Sequence, residues 1–311
     1  MTTIIRKEIA MAHAAVIADA RLEIDAQAEF WAKKLLNTGY VIIPEAIDPT
    51  LVSAFEQDLW DRFNNTPFCD GAFYGDRTKR FHRLLTHSKH AAQFIQHELI
   101  LSIVDYVLKP WCDCIQLNLT QAIEVHPGSR AQVPHRDQDM WGGQKGETEY
   151  LVNVMWPFAR YTRENGATII WPDSHKRQQE MLLPAEDSID AEMEPGSVLL
   201  FLGSTLHSGG QNSSQEIRRG MIVSYCLGWL KPYENQWLSY PPEVARNFDP
   251  ELAALVGYRQ HRPNLGNFDG QCPSVLLRER IPEYFHAIDD LRPDQEQMVD
   301  DYYAGRLQIA A

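Results

Sequence analysis

Several things are missing from this sequence of 311 residues, and each absence narrows the choices. No stretch approaches the roughly 20 apolar residues of a membrane span. The opening Met-Thr-Thr-Ile-Ile-Arg-Lys-Glu has neither the apolar run nor the cleavage site of a secretory leader, so a cytoplasmic protein without membrane association is expected. No glycine-rich loop opens a helix, which argues against the nucleotide-binding classes. Basic residues are in deficit, 29 against 42 acidic, for a net charge of -13; this speaks against nucleic acid and against large polyanionic substrates. The five cysteines are odd in number and form no CxxC pair, as suits free thiols in a reducing compartment. Cys112 and Cys114 read as two small residues on one face of a strand. There is no HExxH among the eleven histidines, no internal repeat, and no linker long enough to divide domains.

What is present is 44% hydrophobic residues, ample for a core. The first 20 residues are alanine-rich without a clear apolar face. Residues 25–37 predict a helix, with Ala28, Trp31 and Leu35 on one side and Gly39 beyond its end. Tyr40–Ile43 predicts a short buried strand. Asp48-Pro49 is a helix start, and Leu51, Phe55 and Leu59 carry that helix to about Asn64. Residues 65–80, with Phe68, Phe73 and Tyr74, predict a loop that either forms a lid or packs down. Phe94, Leu99, Ile103 and Val107 predict a helix ending before Pro110.

The pattern then changes to short strands separated by turn residues: Ile115–Val125, Tyr150–Trp156, Ala167–Trp171, Ser197–Phe201 and Met221–Trp229. Asn165-Gly166 and Pro195-Gly196 supply turns. An antiparallel sandwich or barrel follows, with helices mainly before it. Behind it, Pro241-Pro242-Glu243 and Asp249-Pro250 read as helix starts, Tyr258–Gly270 as an ordered loop, and the acidic Asp289–Asp301 as a solvated helix. One domain over 1–311 is expected: a helical part to about 110, a β core over about 111–231, and a mixed tail over 232–311.

His82, His87, His90 and His97 read as structural or exposed, and His175 as a turn residue that bonds backbone. His135 differs, because Asp137 lies two positions on and in extended chain the two point to one side. His207 follows the Val198–Phe201 strand and precedes two glycines. Two histidines and a carboxylate form the triangular face of a non-haem iron site with open positions. Arg218, eleven residues after His207, opens a strand whose antiparallel return brings its guanidinium back toward that face, and alternation sends Arg219 to the opposite side. An arginine fork suits a carboxylate. A metal face with a carboxylate clamp is what bound 2-oxoglutarate requires. Zinc accepts the same three ligands, so a hydrolase or a non-catalytic metal-binding protein of the same fold stands beside the oxygenase reading, with Arg218 favouring the oxygenase.

Taken together, Gln132-x-x-His135-x-Asp137, Asn165-Gly166-Ala167-Thr168, Trp171-Pro-Asp-Ser-His175, Pro195-Gly196-Ser197 and His207 with Arg218-Arg219-Gly220 resemble the phytanoyl-CoA dioxygenase-like family of Fe(II)/2-oxoglutarate oxygenases, over most of residues 30–285. The resemblance implies a double-stranded β-helix, a jelly-roll core with helices outside. It implies His135, Asp137 and His207 as Fe(II) ligands, Arg218 as the 2-oxoglutarate clamp with Gln132 and Thr168 as further contacts, and O2 as the oxidant. The usual Pro-Gly-Ser-His turn reads Pro-Asp-Ser-His here. Halogenating relatives carry glycine or alanine in place of the carboxylate, so Asp137 implies an oxygenase; Asp139 is the competing carboxylate, one pleat further on if the chain stays extended. Some relatives are homodimers, and the long tail permits a homodimer here. Phe68, Phe73, Tyr74, Trp141, Trp156, Tyr225 and the 258–270 loop are the candidate walls for a small hydrophobic substrate, hydroxylated by default.

Overall fold

The computed structural model describes residues 21–307; the alanine-rich stretch 1–20 lies outside them. Helix α1 covers residues 21–38 and buries Ala28, Ala32 and Leu35. Gly39 ends it at φ 84°, where a Cβ would stand 2.6 Å from His175 Nδ1. Strand β1 (Tyr40–Ile43) follows, then α2 (Pro49–Asp58), capped by Asp48, which accepts from Thr50 N at 2.8 Å. The expected single helix breaks at Leu59, and α3 (Trp60–Asn65) completes it. The expected loop gives way early to β2 (Thr78–His82). The next predicted helix is also two, α4 (Ala91–Ile95) and α5 (Glu98–Leu108), with Gln96 and His97 between them.

The remaining strands are β3 (Ile115–Val125), β4 (Leu151–Pro157), β5 (Thr168–Ile170), β6 (Ile189–Asp190), β7 (Val198–Leu202), β8 (His207–Gly209) and β9 (Arg218–Leu227). Helices α6 (Gln236–Ser239), α7 (Pro242–Ala245), α8 (Pro250–Leu255) and α9 (Pro293–Tyr303) follow, the last burying none of its residues. Cys112 and Cys114 precede β3, so they do not share a strand face as expected; the backbone turns there before the ladder begins at Ile115.

Two antiparallel sheets build the core. The larger has the order β1-β7-β4-β9-β3-β2, the smaller β6-β5-β8. Met155, Leu199, Phe201 and Ile123 of the larger sheet pack with Ile170 of the smaller, between the two. On its other face Val154, Trp156, Leu200, Val223 and Tyr225 pack against the helices, which bring Phe55, Phe94 and Ile103. The strand spacing predicted an antiparallel sandwich or barrel, and this is the jelly roll with flanking helices that the family resemblance implied. Alternation along β9 assigns the sides: Arg218 and Ile222 turn inward, Arg219, Met221, Val223 and Tyr225 toward the helices.

Candidate metal centre and its cavity

His135 and His207 meet across an antiparallel bridge, His135 N donating to His207 O at 2.9 Å and His207 N to His135 O at 3.0 Å. The stretch 132–135 thus adds itself beside β8. Arg136 is extended (φ −119°, ψ 124°), which returns Asp137 to the side of His135. One ligand atom from each of His135, Asp137 and His207 lies within 4.8 Å of the others. Asp137 Oδ1 is 3.5 Å from His135 Nε2, and its Oδ2 is 3.5 Å from His207 Nε2.

The tautomers follow from the backbone. His135 Nδ1 sits 2.9 Å from Val133 O, and His207 Nδ1 sits 3.1 Å from Thr205 O. A carbonyl only accepts, so each Nδ1 carries the proton and each Nε2 lone pair faces the centre, as a metal requires. Asn153 donates to Asp137 Oδ2 at 2.8 Å. Burial pushes His207 down to about 4, leaving a neutral imidazole. Burial would raise Asp137, but His207, His135 and the Asn153 bond outweigh it and hold the carboxyl at about 2. Burial also opposes a charge on His135, yet the neighbouring Asp137 prevails and raises it; a divalent cation would displace that proton. Two imidazoles and an ionised carboxylate fit a first-row dication.

The three groups open into one cavity, whose wall includes Gln132, Thr168 and Arg218. Arg218 is 4% exposed, its Nε and Nη1 are buried without a partner among the described residues, and its guanidinium lies 4.5 Å from the centre of the Tyr161 ring. Arg219 points the other way, bonding Glu124 at 2.6 Å and reaching Glu56 at 3.4 Å. Gln132 accepts from Gly209 N and donates to Phe73 O. A Cβ at Gly209 would fall 2.6 Å from Gln132 Oε1, which accounts for the glycine.

Phe73 and Tyr74 line the cavity; the Phe73 ring meets His135 edge-on at 4.8 Å, and Tyr74 shares a hydroxyl hydrogen bond with Tyr233. Five expected walls stand elsewhere. Tyr225 bonds Ile95 O on the helix side of the sheet. The alternation that separates Arg218 from Arg219 puts residue 225 with Arg219. Trp156 packs on Phe94 in the same layer. Trp141 leaves a 3-10 turn over Asp137–Met140, donates to Lys231 O, and packs on Tyr150, so Met140 reaches the cavity instead. Phe68 meets His126, and the 258–270 loop borders a different hollow beside Trp229 and Trp237. The same turn takes Asp139 outward to Lys145 at 3.1 Å, because the chain does not stay extended there. His175 bonds Leu36 O at 3.0 Å, as its turn position suggested.

Sequence reasoning passed over Asn153 and Arg80. Asn153 carried a signal, a lone amide inside the apolar run Leu151–Trp156. Arg80 carried none, because its strand forms only by pairing with β3, far along the chain. Arg80 lines the cavity, donates to Gln121 at 2.9 Å, lies 4.8 Å from the Tyr74 ring centre, and keeps a buried, unpartnered Nε.

A jelly roll carrying this donor set and a buried cation defines the Fe(II)/2-oxoglutarate-dependent dioxygenases, and the comparisons with known proteins agree. Residues 36–220 match phytanoyl-CoA dioxygenase (PhyH), and the chain belongs to that family. It is 27% identical to the dioxygenase trt7 of Aspergillus terreus over 73% of this chain and 83% of that protein. It is 32% identical to the dioxygenase FrzG of Cladobotryum sp over 61% and 67%. Among solved structures, the non-heme alpha ketoglutarate dependent epimerase SnoN from nogalamycin biosynthesis aligns with a TM-score of 0.55 at 17% identity, covering 67% of this chain and 86% of that one. HygX from Streptomyces hygroscopicus, solved with nickel and 2-oxoglutarate, aligns at 0.51 and 15%, covering 65% and 88%. These two likenesses bear on the fold.

Proposed function

We propose that His135, Asp137 and His207 hold one Fe(II), that Arg218, Gln132 and Thr168 hold 2-oxoglutarate, and that the enzyme hydroxylates an unactivated carbon of a small hydrophobic metabolite with succinate and CO2 as co-products. One observation carries the reading: a metal-ready donor set shares a cavity with a buried guanidinium whose Nε and Nη1 lack acceptors among the described residues. The charges support it. Among the described residues lining that cavity, Arg80 and Arg218 are cationic and Asp137 alone is anionic, so with a dication the site is left positive and favours a dianion. Arg80 then serves as a second cation for the dicarboxylate.

Bound iron, with 2-oxoglutarate and O2, supplies an oxidant able to take hydrogen from carbon. The protein's own part is to bind and orient. Asn153 turns the Asp137 carboxylate, the Val133 and Thr205 carbonyls fix the imidazoles, and Phe73 shields His135 from water. Met140, Leu119 and Leu151 offer apolar walls for substrate, with Tyr74 and Tyr233 nearby. Hydroxylation is the outcome that needs no further group from the protein, and Asp137 fills the position a halide would need. The test is 2-oxoglutarate turnover. Succinate and CO2 should form only with Fe(II) and O2, and His135→Ala or His207→Ala should lose metal and turnover together while retaining the wild-type circular dichroism. Full turnover by metal-free protein would end the proposal.

A further inference from the structure

We propose that Arg136 is a positioning residue for the metal centre, its guanidinium clamping the His135–Asp137 stretch to the turn that leads to His207. This rests on the ligand assignment proposed above.

Arg136 stands between two of those ligands, 5% exposed, and does not line the cavity. Its Nε donates to Ser204 O at 3.0 Å, its Nη1 to Glu180 O at 2.9 Å, and its Nη2 to Ser174 O at 3.3 Å and Arg177 O at 3.1 Å. No carboxylate among the described residues stands within ion-pairing distance of it. The Asp139 and Glu180 carboxylates favour its charge only from beyond that distance, and burial outweighs them; a buried charge so weakly countered is costly and persists only where other groups solvate it. Here four main-chain carbonyls do so, and they come from two places: the 174–180 turn after β5, and Ser204, three residues before His207. Those two places are themselves joined, since Leu206 N donates to Ser174 Oγ at 2.8 Å. The guanidinium therefore closes a loop of contacts around the metal face: 136 to 204, 204 along the chain to 206, 206 to 174, and 174 back to 136. A planar fork with five N–H donors can span four carbonyls; the single nitrogen of lysine cannot. Metal ligands tolerate displacements of only about 0.2 Å. Without the clamp, the Asn153 bond to the side chain and the Gln138 N–H bond to Gly203 O at 3.1 Å would be what remain to hold Asp137 in place.

The test uses Co(II) as the probe, without 2-oxoglutarate, so that affinity and d–d absorption report on the donor set apart from catalysis. Arg136→Gln and Arg136→Lys are compared with wild type, with His207→Ala, and with Arg177→Ala, which leaves the Arg177 carbonyl in place. The expected result is a wild-type circular dichroism spectrum and a cooperative melt in both Arg136 variants. Co(II) affinity should fall about 10- to 100-fold in Arg136→Gln, the range for lost supporting groups around a metal. It should fall less in Arg136→Lys, with an altered d–d band in both and no change in Arg177→Ala. A folded Arg136→Gln with wild-type affinity and an unchanged band would overturn the proposal. Failure of both Arg136 variants to fold would overturn it too, assigning the residue to the fold alone. If wild type and His207→Ala bind Co(II) alike, the ligand assignment is what has failed, and the clamp falls with it.

Discussion

Replacing Arg218 by methionine separates binding from folding. The side chain keeps an unbranched apolar stem but is shorter than arginine and loses its charge and its donors. Nε and Nη1 are the buried N–H groups without acceptors in the free protein. If each meets a 2-oxoglutarate carboxylate oxygen, each bond contributes about 1.5–3 kcal/mol. The pair then amounts to about 3–6 kcal/mol, which is a loss of about 100- to 10,000-fold in affinity. The effect on the ligand-free fold should differ in sign. The arginine's identified partner there is the Tyr161 ring at 4.5 Å, a contact of about 0.5–2 kcal/mol. Against it stands the cost of an unpaired buried charge, whose replacement by apolar groups is often neutral or stabilising. Arg218→Met should therefore unfold in urea at the wild-type midpoint or above it, while calorimetric titration of the Mn(II)-loaded variant shows 2-oxoglutarate binding nearly abolished. Affinity within threefold of wild type would refute the clamp. A stability loss of several kcal/mol with intact binding would make Arg218 a residue of the fold.

Arg219→Ala should show the converse, because among the described residues it leaves the buried Glu124 with Lys79 and His126 as its remaining cationic partners. Stability should drop by about 1–3 kcal/mol, below the loss for an uncompensated buried charge, with 2-oxoglutarate affinity unchanged; a weakened affinity would mean the strand phase is misassigned. Asn153→Leu removes the hydrogen bond to Asp137 Oδ2 and should weaken Co(II) binding about 10- to 100-fold, so equal affinity by equilibrium dialysis counts against that role. Burial pushes the Glu149 carboxyl from its ordinary 4.5 up to about 7, despite its hydrogen bond from Ser204. Its raised folded pKa means the stability it contributes is full below pH 4.5 and lost as pH rises through 7. Two to three pKa units correspond to about 3 kcal/mol, reduced to about 1–3 because the residue is only partly shielded. Glu149→Gln should flatten the fall in urea midpoint between pH 5 and 8 and be the more stable protein at pH 8; an unchanged slope would exclude Glu149 as its source.

The legible parts of the sequence were those governed by local rules. Period-two alternation gave β3, apolar runs bounded by turn residues gave β4 and β9, and alternation put Arg218 inside and Arg219 outside. Carried three steps further, from Arg219 through Met221 and Val223, the same rule puts Tyr225 outside as well. The i, i+2 spacing of His135 and Asp137 held because Arg136 is extended, whereas Asp139 and Trp141 were misplaced by a turn that begins at Asp137. Strands β2, β6 and β8 were illegible for another reason. They are short, β8 ends in glycine, and they exist because a partner far along the chain completes their hydrogen bonds. Arg80 went unnoticed with β2 for that reason. The helices showed their faces clearly and their breaks poorly, since no glycine or proline marks the interruptions at Leu59 and His97.

An anaerobic titration with Fe(II) followed by 2-oxoglutarate addresses the whole account at once. It should produce a visible charge-transfer band that saturates at one iron and one 2-oxoglutarate per chain, disappears in His207→Ala, and in Arg218→Met requires at least 100-fold more 2-oxoglutarate. A band of full strength in His207→Ala, or 2-oxoglutarate bound at one per chain with no band in the wild type, would mean that these residues do not form the centre described.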